Sequence, residues 1–354
     1  MRARSIWMGM RLKRALAGGM GLDKWNLFLT EDLEGLPESA PVFGTRAWLE
    51  ATRRALPFPL KVLRVHKGET FAAYLPLQFI KRGGLIKAFV PILTFYGGPY
   101  FVSGRRKHFN EELREQGEIL DQVLAWLERN SHYSLLLPES HDARPALERD
   151  WICRPRFTVI NDLRAYHERA VNKDCLANIR KAEKAGLRFG TISGEDEFET
   201  AYARTFVRKG LAMKWKPRWA ADLRRELTGT GLMEHFAVRD ESGKPIAFAS
   251  VALDYFRDTA IIWCSCRLDA ADRLGTMHFM VHNLILRFQD RFSTFDLCGA
   301  DNRSLSEFKE KFATRLVPRF SLEKYSSPGA RALIKGFEIA NGMLRSRSRR
   351  VVAD

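Results

Sequence analysis

The chain has 354 residues, 45% of them apolar and 28% charged, and a formal charge of +16. That length exceeds one ordinary core and suits two domains, and the composition is that of a soluble globular protein. Five scattered cysteines, an odd number, argue against a disulfide scaffold and for a reducing cytoplasm, and no apolar run approaches the ~20 residues needed to cross a membrane.

The charge is concentrated at the ends. Residues 1–20 hold five basic and no acidic side chains, and residues 327–354 hold six basic and two acidic ones. Gly9, Gly18 and Gly19 interrupt the first stretch, so it does not read as a cleaved signal peptide. These tails suit an anionic membrane face, RNA or plain solvation. The body between them is only mildly basic.

In chain order, the first half predicts a strand at Trp25–Thr30 and an amphipathic helix at Phe43–Leu56, stopped by Pro57. Strands follow at Leu60–Val65 and Thr70–Ile80, then an extended run over Leu85–Phe95 ending at Tyr96-Gly97-Gly98-Pro99. A long helix at Glu111–Arg129 and a short buried strand at Leu135–Leu137 complete the set. The second half repeats the order. It has a helix at Glu195–Lys209, a strand at Met233–Arg239, and a hairpin of Pro245–Leu253 with Thr259–Arg267. A helix at Gly275–Arg291 and a strand at Phe295–Leu297 close it.

Each half then ends in a short helix and an extended segment holding Pro-Arg-Phe, at Pro155-Arg156-Phe157 and Pro318-Arg319-Phe320, 163 residues apart. A basic helix over Asp174–Ala185 lies between the halves, and Trp215 and Trp219 with the interleaved Lys214, Lys216 and Arg218 read as a basic aromatic loop. Strands in hairpins with helices between them predict a mixed α/β fold, a largely antiparallel sheet with helices on its faces.

Three stretches carry a family resemblance. Asn178-Ile179-Arg180-Lys181-Ala182 with Gly186 resembles a motif of FemAB-like proteins. Phe295-Asp296-Leu297-Cys298-Gly299 followed by Phe308-Lys309-Glu310-Lys311-Phe312 resembles their strand–Gly–Phe-Lys-x-x-Phe ending, and Gly97-Gly98-Pro99 resembles the close of their first domain's central strands. The resemblance spans roughly residues 25 to 325. It implies two tandem GNAT-like acyltransferase domains, 21–165 and 166–326, between basic tails at 1–20 and 327–354.

Acyl transfer to an amine needs a donor and acceptor held together, a path for the amine's proton and stabilisation of the tetrahedral oxyanion. No Gly-x-Ser-x-Gly elbow is present, which agrees with direct attack. The expected catalytic residues are Lys309, near the start of a short helix, and Asp296, on the strand before it. Asp301 and Asn302 read as that helix's N-cap region. Arg180, Lys181 and Lys184 form a cationic helix face for phosphates, or a solvated one. Tyr96, Gly97, Gly98 and Trp215 complete the expected substrate side. Arg273, Gly275 and Thr276 keep part of the phosphate loop through which GNAT domains hold acyl-CoA. An acyl thioester is therefore the expected co-substrate. His278 and His282 lack the companion ligands of a zinc helix, and no metal is expected.

The function expected is N-acyl transfer to an amine of a cell-envelope or polysaccharide precursor, small or linked to lipid or nucleotide. It would take place in the cytoplasm or at the inner membrane face. Two alternatives stay open: aminoacyl transfer from tRNA, and a non-catalytic RNA- or membrane-binding protein.

Overall fold

The computed structural model describes residues 25–82, 84–102, 109–130, 133–136, 141–192, 197–208, 213, 215–271, 273–312 and 314–336. The N-terminal tail and all of the C-terminal one past 336 lie outside these; residues 328–336 are helical.

The first half runs β1 (Trp25–Thr30), α1 (Arg46–Ala55), β2 (Leu60–Lys67), β3 (Thr70–Arg82), β4 (Leu85–Phe89), β5 (Tyr100–Phe101), α2 (Phe109–Asn130), β6 (Tyr133–Leu136), α3 (Arg144–Glu148) and β7 (Ile152–Asp162). The second runs α4 (Lys173–Lys184), β8 (Arg188–Thr191), α5 (Phe198–Arg208), α6 (Pro217–Leu227), β9 (Met233–Arg239), β10 (Pro245–Asp254), β11 (Thr259–Arg267), α7 (Thr276–Phe288), β12 (Thr294–Gly299), α8 (Arg303–Glu310) and β13 (Thr314–Tyr325).

The expected order is present in both halves. Within each, three antiparallel strands are followed by a helix and a parallel strand: β4 pairs with β6, and β11 with β12. One sheet joins everything in the order β1-β2-β3-β4-β6-β13-β7-β12-β11-β10-β9-β8. Its two ends mirror each other about the central pair. The halves exchange their last strands: β7 pairs with β12 of the second half, and β13 with β6 of the first. The two Pro-Arg-Phe segments lie antiparallel on one another, with Arg156 opposite Arg319.

Two spans differ from the sequence expectation. The extended run after Leu85 stops as a strand at Phe89. Pro91 has no N–H to give a ladder, and the buried Gln78 side chain takes the Ile92 N–H at 2.9 Å, so the chain leaves the sheet without an orphaned donor. Residues 217–227, of which the first three fall in the expected basic aromatic loop, are α6: Pro217 starts the helix, and Ala220, Leu223 and Leu227 form its buried stripe.

Three cores result. One lies between α2 and the first half's strands, and a second between α4, α7 and the second half's strands. The third is shared: Val62, Tyr74, Tyr96 and Tyr100 of the first half pack with Phe248, Trp263 and Cys298 of the second, with α1, α5 and α6 around them. This shared core bounds the candidate site.

Candidate functional site

Strand β12 is where regularity fails. It pairs with β11 only through Ile261–Asp296, although β11 continues to Arg267. On its other side the register to β7 shifts between Asp296 and Gly299, and Cys298 takes a φ of 58°. The bulge turns three carbonyls toward α8. The Lys309 ammonium, with three protons to give, donates to Leu297 O at 2.6 Å, Cys298 O at 2.7 Å and Gly299 O at 2.8 Å. Asp301 accepts from the Phe157 N–H at 2.8 Å and pairs with Arg156, while Asn302 caps α8.

Strand alternation sends Phe295 and Leu297 into the core under α7, and Asp296 and Cys298 to the shared core. The Asp296 carboxylate, 2% exposed, accepts from Tyr96 OH at 2.5 Å, Thr158 Oγ1 at 2.5 Å and the Cys298 N–H at 2.7 Å. Burial, then the neighbouring Cys298 and Asp296, pushes the Tyr96 phenol well above its ordinary range; burial and Asp296 do the same to the Cys298 thiol. Both groups therefore keep their protons. Tyr96 is the donor and Asp296 the acceptor.

Tyr96 reaches across from the first half. Tyr100 OH holds its carbonyl at 2.6 Å, and Trp263 Nε1 of β11 holds Leu93 O at 2.8 Å, so residues 93–96 lie over the inner side of the splay between β11 and β12. The turn needs Gly97: a Cβ there would sit 2.5 Å from Val90 Cγ1. Gly98 follows at φ 30°. Arg319 lies over the Tyr96 ring, 4.8 Å from its centre, and Arg257 binds the buried Asp254 at 3.0 Å nearby.

Of the residues expected from the sequence, Asp296, Lys309, Tyr96, Gly97 and Gly98 come together here. The phosphate-loop residues lie on the sheet's other face. Gly275 starts α7 at φ 74°, pressed against α4 so closely that a Cβ would lie 2.1 Å from Asn178 O. Thr276 Oγ1 braces the loop on Ala271 O at 3.0 Å, and exposed Arg273 takes φ 63°. Lys181 is one turn beyond Asn178. With Arg180 and Lys184 it is exposed and makes no ion pair among the described residues. The loop residues thus stand beside the cationic helix, not beside Asp296.

Trp215 joins neither group; it packs with Phe58 and Trp219 at ring separations of 6.4 and 6.3 Å. His282 is engaged by Tyr166 OH at 2.8 Å, His278 lies against Phe308, and no group of metal-ligating side chains occurs among the described residues. Sequence reasoning missed Thr158, Cys298 and Arg257. It met Arg319 only as part of a repeat. Nothing local marks Thr158, whose role arises from pairing with a strand more than a hundred residues away.

Residues 169–310 match the model of the acetyltransferase (GNAT) domain. No curated protein matches the sequence. Among solved structures, FemX superposes with a TM-score of 0.58 at 14% identity, over 79% of this chain and 91% of that one. A C-terminal domain (DUF2156) assigned to lysylphosphatidylglycerol synthetase of Agrobacterium fabrum gives 0.52 at 14% identity, over 75% and 85%. L-PGS of Bacillus licheniformis gives 0.50 at 15% identity, over 73% and 82%. At such identities the likeness is one of fold.

Proposed function

We propose that this chain, an acyltransferase whose residues 169–310 form a GNAT domain, moves an acyl group from a thioester to an amine acceptor at the Asp296–Tyr96 pair. The observation that carries the reading is that pair: an acceptor carboxylate and a proton-bearing phenol, 2.5 Å apart, beside the splayed strands of that domain.

The roles follow from protonation. The amine attacks the thioester carbonyl, forming the C–N bond, and the C–S bond breaks. Asp296 takes the proton the amine loses. Tyr96, which burial keeps protonated, gives its proton to the leaving thiolate. Transfer from Asp296 to Tyr96 along their hydrogen bond restores both groups. Lys309 acts on the site through the three carbonyls it gathers, and so positions Asp296 and Cys298. The loop at Arg273–Thr276, with Lys181 alongside, would hold the donor's phosphates, as the GNAT assignment suggests. The acceptor proposed is an amine of a cell-envelope or polysaccharide precursor. The proposed location is the cytoplasm or the inner membrane face, with no helix of the described residues long and apolar enough to cross a membrane.

The test is to incubate the protein with an acyl-CoA series and with charged tRNA, with amine acceptors present, and follow release of free thiol or free tRNA. Thiol release that falls at least ~100-fold in Asp296→Asn is expected. Release of tRNA alone would replace the thioester with an aminoacyl donor, and release of neither would sink the transfer reading.

A further inference from the structure

Thr158 takes no step in the chemistry proposed above, yet it touches the group at its centre. It sits on β7, the strand that the first half lends to the second, and is 2% exposed. In the ladder Asp296 pairs with Ile160 and Thr158 with Gly299, so the two side chains meet diagonally across the β12 bulge.

The two oxygens of the Asp296 carboxylate are not equivalent. Oδ1 accepts from the Thr158 hydroxyl at 2.5 Å and from the Cys298 N–H at 2.7 Å. Oδ2 accepts from Tyr96 OH at 2.5 Å. An ionised carboxylate offers about four lone-pair sites, two on each oxygen. Counting donors among the described residues, Oδ1 is full and Oδ2 keeps one place. That place is on the oxygen already bonded to Tyr96. A proton arriving there can pass on to Tyr96, whereas one arriving on Oδ1 is on the far side of the carboxylate.

The last torsion of an aspartate is soft, so something must hold its rotation. The nearby cations are engaged with other groups. Lys309 binds the three bulge carbonyls, Arg319 lies over the Tyr96 ring, and Arg257 binds Asp254. Tyr96 gives up its proton during the reaction, and the Cys298 N–H holds one edge of Oδ1. Thr158 is the side-chain donor that stays in place throughout.

The duplication supplies a comparison. Both copies carry a hydroxyl after Pro-Arg-Phe: Thr158 follows Phe157, and Ser321 follows Phe320. Ser321 is also buried, but β6, the strand that its own strand joins on the other side, has the sequence Tyr133-Ser134-Leu135-Leu136 and no acid. Only the β7 copy meets a carboxylate.

We propose that Thr158 is the positioning residue of the Asp296–Tyr96 pair: its hydroxyl fills Oδ1, fixes the carboxylate's rotation and reserves Oδ2 for the proton of the amine. This assignment rests on the acyl-transfer reading for the proton's course, but not for the hydrogen bond that sets it.

The bond is tested without donor or acceptor. Proton spectra of the full chain should show two hydroxyl resonances downfield of the amides, from Tyr96 and Thr158, both lost in Asp296→Asn. Thr158→Val should lose one of them, while Thr158→Ser and Ser321→Ala keep both. Absence of the Thr158 resonance from the wild type, or its persistence in Thr158→Val, overturns the assignment. Thr158→Ala carries the same test if Thr158→Val does not fold. The reserved oxygen is tested by turnover. Tyr96→Phe should cost ~100-fold in the wild type but less than ~10-fold in Thr158→Val, whose relay is already broken. Thr158→Ser should restore the full cost. Losses from Thr158→Val and Tyr96→Phe that multiply in full would sink the role of Thr158 alone. The expected resonances without any acyl transfer would sink the catalytic reading and leave Thr158 as the group that holds the carboxylate.

Discussion

Lys309 shows how a residue can be named from sequence while its contacts are not. The Phe-Lys-x-x-Phe pattern singled it out as a catalytic candidate. Its ammonium donates to Leu297, Cys298 and Gly299, the carbonyls of a bulge that no sequence rule marks. Lys309→Ala should therefore do two things. It should lower stability by about 2 kcal/mol, as loss of a charged donor to partly buried carbonyls does, and it should cut turnover at least tenfold as Asp296 loses its fixed position. Denaturant unfolding and steady-state rates measure the two separately. Full stability with lost activity would return Lys309 to direct chemistry. Asp296 was better marked, because alternation alone turns it away from Phe295 and Leu297. Its partner Tyr96 was expected on the substrate side without any link to Asp296, and its partner Thr158, from another strand, was invisible.

At the scale of elements, strands and long helices were legible because their periodicity is local. The failures were α6, whose basic surface hid a stripe of Ala220, Leu223 and Leu227, and the segment after Phe89, which a side chain rather than a ladder satisfies. The stretch Arg273–Thr276 was visible as a partial phosphate-loop pattern, but its neighbour on α4 was not. Gly275 lies in the left-handed region with Asn178 O where a Cβ would go. Gly275→Ala should force α4 and α7 apart and destabilise the second core by about 1–3 kcal/mol, with weaker donor binding as the further effect. A melt shows the first and the donor's KM the second; an unchanged melting temperature would mean that the helices do not meet there.

For the molecule as a whole, the duplication was legible, down to the Pro-Arg-Phe repeat, but the exchange of final strands was not, since strand partners are not written in a strand's own residues. Residues 1–165 expressed alone should lack β13 beside β6 and should not form a cooperative fold, whereas coexpression with 166–354 should restore solubility and activity. A sharp two-state melt of the first piece alone would contradict this. Acid should also act on the whole structure. Burial lowers His141 and His278 to about 4 and His235 to about 3, from an ordinary 6.5. Below pH 6.5 the unfolded chain takes up protons at these sites that the folded chain does not, so stability falls with pH and the loss is complete near pH 3. Asp254, raised by burial to about 6, gains stability as pH drops below that value, one group against those three histidines and His282, which burial also lowers. Melting temperatures should decline from pH 7 to pH 5; a rise would put Asp254 in control.

The exchange also sets a timetable for synthesis. β6 is made at residues 133–136, but the strand that covers its edge is made at 322–325. At ~5–20 residues per second, a nascent chain carries that bare edge for ~10–40 s before its partner exists. The first half therefore cannot finish folding in the usual N-terminal-first order. Slow translation over the second half lengthens the interval in which that edge is open to another chain.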